Sequence, residues 1–79
     1  MPHYYFHLHN DVDVLDEEGF DLPDVEAARA AAVKSARELM GAQIGDEGRL
    51  TLSDWIEVQD ESGARILTIR FGDIVEIRP

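Results

Sequence analysis

Cysteine is absent from the 79 residues, which excludes disulfides and thiolate metal centres and suits a reducing compartment. No apolar run approaches the roughly 18 residues of a membrane span. The opening Met-Pro-His-Tyr-Tyr-Phe has no basic leader ahead of an apolar stretch, so no secretion signal is expected. These absences give the expectation of a cytoplasmic chain with no membrane segment. Bases are scarce: 7 Lys and Arg stand against 17 Asp and Glu, a formal charge of −10. A field of that sign repels phosphate backbones and argues against nucleic-acid binding. Catalytic signatures are missing too. Ser35, Ser53 and Ser62 sit in no nucleophile motif, no glycine-rich phosphate loop occurs, and the many carboxylates define no pair with divided acid and base roles. The chain reads as non-enzymatic, with no cofactor.

What is present is one long periodic segment, Leu22 to Ile44. Leu22-Pro23-Asp24 is a helix start, because proline keeps the residue before it extended and an aspartate accepts the free amides of the first turn. Asp24 is the expected N-cap. Val25, Ala28, Ala32, Ala36, Leu39, Met40 and Gln43 share one side at about 100° per residue. Small residues through the middle of that stripe allow close approach to a flat partner such as a sheet. Gly41 and Gly45 are both able to end the helix; Gly45 is preferred because Ile44 then completes the stripe.

On either side of the helix the period changes to two. In His3 to His9, Tyr4, Phe6 and Leu8 alternate with His3, Tyr5, His7 and His9, the pattern of a strand. Asn10-Asp11 is turn chemistry, and Val12 to Leu15 is expected to return as a second strand. After the helix, Trp55 to Gln59 and Ala64 to Phe71 alternate around the turn Asp60-Glu61-Ser62-Gly63, which predicts a hairpin. The tail after Gly72 reads either as a short edge strand or as a packed turn. The expected fold is a single α+β domain over residues 1–79, a two-layer ββαββ sandwich with one antiparallel sheet and the helix on one face. Tyr4, Phe6, Leu8, Ile56, Val58, Leu67, Ile69 and Phe71 would meet the alanine stripe.

The run Met-Pro-His-Tyr-Tyr-Phe-His-Leu, then Asp16-Glu17-Glu18-Gly19, Leu22-Pro23-Asp24 with Ala27, Ala28 and Arg29, and later Ile56-Glu57-Val58 and Asp60-x-x-Gly63, resembles a family of short bacterial proteins grouped as a domain of unknown function. The resemblance extends over nearly the whole chain. It implies a small stand-alone bacterial protein, and it brings no activity, cofactor or catalytic residue.

Three constellations invite a functional reading. His3, His7 and His9 share one side of one strand, and alternate strand residues lie about 7 Å apart, so His7 and His9 are candidate ligands for zinc or a similar ion. The spacing Asp11-x-Asp13-x-x-Asp16 suggests calcium but fails the EF-hand pattern: counting from Asp11, Leu15 takes position 5 and Leu22 position 12, where oxygen ligands are required. The reverse side of the sheet is the third. Tyr5, His7, His9, Trp55, Glu57, Gln59, Ile66, Thr68 and Arg70 would share it, mixing large amphipathic groups with a few charges. Tyr, Trp and Arg are the types that anchor interfaces, which makes Tyr5, His7, Trp55, Ile66 and Arg70 the interface candidates.

The reading these support first is a small acidic binding module that self-associates, as a homo-oligomer, or meets a protein partner through that open face or a strand edge. A regulatory, antitoxin-like partner of a small basic protein is the second, suggested by the chain's small size and acidity, with no base among the acids from Asp11 to Glu26. A metal-binding protein using the strand histidines is the third.

Overall fold

Asp24 begins the helix as its spacing requires, with an extended backbone and its carboxylate accepting the Ala27 amide. The computed structural model describes residues 1–79 and shows this helix, α1, over Val25–Glu47. It ends one turn later than Gly45. Gly41 and Gly45 stay helical, and Gly48 is the cap, with φ 65° and its N–H bonded to the Ile44 carbonyl. A glycine inside a helix is tolerated at modest cost, whereas the left-handed position demands one.

Four strands form one antiparallel sheet: β1 (His3–His9), β2 (Phe20–Asp21), β3 (Trp55–Asp60) and β4 (Arg65–Arg70), in the spatial order β2-β1-β3-β4. The α+β fold and the strand-strand-helix-strand-strand order therefore hold. The second strand, however, is Phe20–Asp21 and not Val12–Leu15. That earlier segment makes a single bridge, Val14 to Leu8, and side chains hold the amides on either side of it: Asn10 Oδ1 accepts the Val12 amide and His7 Nδ1 the Asp16 amide. Gly19 makes the return to β2 possible. Its φ is 69°, and a Cβ there would lie 2.6 Å from the Tyr4 carbonyl oxygen. After β4 a short 3₁₀ turn (Phe71–Asp73) closes the chain, and Ile74 and Val75 pack against the core as a turn, not a strand.

The core is thin. Tyr4, Ile56, Val58, Ile69 and Phe71 are buried against Ala28, Ala32, Ala36 and Met40, as the two periodicities require. Val25, Leu39 and Ile44, expected on the inner stripe, are exposed. The reason is where the helix sits. α1 packs mainly over β3, β4 and the 3₁₀ turn, so the flank of the helix nearest β1 is thinly covered, and Phe6 and Leu8 stay only half-buried.

Candidate functional site

The face of the sheet away from α1 is open. Antiparallel register aligns Tyr5 with Gln59, His7 with Glu57 and His9 with Trp55 across β1 and β3, and Glu57 with Thr68 and Trp55 with Arg70 across β3 and β4. Cross-strand partners share a face, so Tyr5, His7, Trp55 and Arg70 stand on one surface as their alternation predicts. Ile66 does not join them. A bulge at Val58/Gln59 sets Gln59 opposite Arg65, Ile66 packs against the core cluster, and Arg65 takes the place expected for it. Period-two counting carries no signal for that inserted residue.

Rings run along this face. Tyr5 lies 5.0 Å from His3 edge-on and 6.3 Å from His7 in a stacked pair, and His9 stacks on Trp55 at 4.1 Å. Apart from His7 Nε2, the histidine nitrogens have protein partners. His3 contacts Asp21 Oδ1 and the Glu18 carbonyl at 2.6 Å each, His7 Nδ1 accepts the Asp16 amide at 3.0 Å, and His9 bridges Asp13 and Glu57 at 2.9 Å each. All three rings therefore fasten the acidic segment, residues 10–21, along β1. His7 and His9, the metal candidates, are not brought together with a third ligand: no group of three or more His, Cys, Asp or Glu side chains is arranged to hold a metal ion.

Donation to the Asp13 and Glu57 carboxylates holds the His9 pKa above its usual value despite partial burial. His3 is raised likewise, first by its bond to Asp21 and then by the Glu18 carbonyl. Because a raised folded-state pKa stabilises the protonated form, this contribution is complete below the unfolded histidine value of about 6.5 and fades as pH rises through the folded value. The melting temperature is expected to fall by about 5 °C from neutral to mildly alkaline pH, on the scale of one charged hydrogen bond in a small domain. In His9→Gln the His9 share of that slope should vanish, leaving the share of His3. A melting curve unaffected by the substitution across the same range would refute the assignment.

The two edges of the sheet differ. On the β1 side, the outward groups of Tyr4 pair with Phe20, those of Leu8 exchange two bonds of 2.9 Å with Val14, and the Phe6 amide donates to Asp16 Oδ2 at 3.1 Å. β1 is thereby covered along its length, with only the two-residue β2 beyond it. On the β4 side, the bond from the Phe71 amide to the Asp54 carbonyl fixes the parity of the ladder, so the backbone groups of Thr68 and Arg70 point outward. β4 has no neighbour there.

The family model for a domain of unknown function, DUF6894, matches residues 3–72. The chain belongs to that family. The matched span opens at the first residue of β1 and closes within the 3₁₀ turn, so the DUF6894 unit is the sheet with its helix. No curated protein and no solved structure matches the chain. No helix of the DUF6894 domain is long and apolar enough to cross a membrane.

Proposed function

We propose that this is an interaction module, not an enzyme, and that it self-associates in the cytoplasm through the free edge of β4 with the open sheet face beside it. One observation carries the reading: the protein closes the β1 edge with Val14, Asp16 and Phe20 and leaves β4 without a partner. An unpaired edge is a template for another strand. β4, Arg65–Arg70, also carries no carboxylate and has an arginine at each end. In a chain of charge −10, two copies meet there with least repulsion. Two β4 strands pairing antiparallel about a two-fold axis would give one eight-stranded sheet with Trp55, Arg70 and Tyr5 on a continuous surface.

Thr68→Pro tests this, because its N–H faces outward and proline at such an edge position removes a donor without breaking the internal ladder. Light scattering on the eluting peak should give a dimer for the wild type at about 100 μM, within the affinity range of small interfaces, and a monomer for Thr68→Pro with an unchanged circular dichroism spectrum. Trp55→Ala should weaken the dimer. A monomeric wild type at that concentration overturns the proposal.

A further inference from the structure

Several large apolar side chains lack cover on the helix side of the sheet, beside the helix. Because α1 sits over β3 and β4, the helix side of β1 is half uncovered at Phe6 and Leu8. Cross-strand partners extend that surface: Val14 opposite Leu8, and Phe20 opposite Tyr4 with its ring 5.2 Å from Phe6. An open groove of about 490 Å³ follows, its apolar lining formed by Phe6, Leu8, Val14, Leu15 and Leu39. Leu15 is 64% exposed, Val14 54% and Leu39 41%. Asp16, Glu17 and Glu18 complete the lining, and no base does.

We infer that this groove receives a basic amphipathic helix of a partner protein. An apolar trough flanked by carboxylates complements a segment with a leucine-like stripe and Lys or Arg beside it, and the net charge of −10 draws such a segment in. The occupant is a helix because the β1 edge beneath is spent: Leu8 is bonded to Val14 and Phe6 to Asp16. An incoming strand would find no backbone partners there, whereas a helix satisfies its own. A second copy of this chain would set acidic rim against acidic rim. The surface is separate from the β4 edge, so either can fail alone.

The probe is an 18-residue synthetic helix with leucines at i, i+4, i+7 and i+11 and lysines on the remaining face. Controls replace lysine by glutamate, or scramble the order so that the stripe is lost. Titrated into the full chain followed by NMR, the lysine helix should bind with 1:1 saturation and shift the signals of Phe6, Leu8, Val14, Leu15 and Leu39. Leu15→Asp and Leu39→Asp, both at exposed positions, should each weaken it about tenfold or more, while Trp55→Ala leaves it unchanged. The glutamate and scrambled peptides should not saturate. Equal binding of the glutamate helix, shifts that map to β4, or no saturation with the lysine helix would each overturn the inference. So would a change of oligomeric state in Leu15→Asp, which would give the groove to a second copy.

Discussion

Replacing Ala32 with leucine is expected to lower the melting temperature by about 15 °C, corresponding to about 3 kcal/mol in a domain of this size. Ala28, Ala32 and Ala36 are each wholly buried where α1 meets the sheet, and the facing residues, Ile56, Val58 and Ile69, already fill the other side. A leucine at Ala32 adds three carbons to a seam whose alanines are wholly excluded from solvent, so the helix must lift or the side chain must leave its preferred rotamer. Total stability for a chain this short is of the order of 5 kcal/mol, so most of it would be lost. Ala30→Leu, on the exposed side of the same helix, should change stability by less than about 0.5 kcal/mol. Thermal melts of the two variants check the assignment. A mild Ala32→Leu would mean that the helix does not sit close to the sheet.

That seam was legible in the sequence because small residues recurred at helical spacing while Tyr4, Ile56, Val58 and Ile69 alternated at strand spacing, and both periods report burial by neighbours close in sequence. The offset of the helix was not legible. Leu39 and Ile44 fit the inner stripe as well as Met40 does, and only the lateral position of α1 over β3 and β4 decides which of them meets the sheet. Ile66 was misplaced for a different reason: the register shift beside Gln59 moves one residue out of step, and nothing in Ala64 to Arg70 marks it. The histidines on β1 were identified correctly as one side of one strand. Their partners, Asp13, Asp21, Glu57 and two backbone groups, come from folded positions up to 48 residues away, which is why the composition of the strand suggested a metal site and the structure shows fasteners. The acidic run, legible in the sequence only as charge, is also one wall of an apolar groove, because Val14 and Leu15 within it keep their side chains uncovered.

Loss of the Asp16 carboxylate is expected to cost about 3 kcal/mol, since it removes charge-assisted hydrogen bonds and strands a partly buried amide. Asp16 Oδ2 accepts the Phe6 amide at 3.1 Å, and Oδ1 accepts those of Glu18 and Gly19 at 3.1 and 3.0 Å. Asp16→Ala leaves all three without that acceptor. Asp16→Asn should be almost as damaging if its amide group turns toward Phe6, donor against donor, and milder if it keeps the two turn amides and surrenders only the edge bond. Burial pushes the Asp16 pKa up, but the amides of Gly19, Phe6 and Glu18 together outweigh it and leave the carboxyl below its usual value. A depressed folded-state pKa gives a contribution that is complete above the unfolded value of about 4 and is lost as pH falls through the folded one. Wild type should therefore lose stability toward pH 3 more steeply than Asp16→Ala, whose melts would already be low at neutral pH. Amide hydrogen exchange at Phe6, slow in the wild type, should accelerate in the variant. The same carboxylate fixes the segment that supplies Val14, Leu15, Glu17 and Glu18 to the groove, so Asp16→Ala should also abolish saturable binding of the lysine helix while leaving β4 self-association intact. If the variant kept that binding, the histidines together with the Leu8–Val14 and Tyr4–Phe20 pairings would suffice to hold the acidic segment in place.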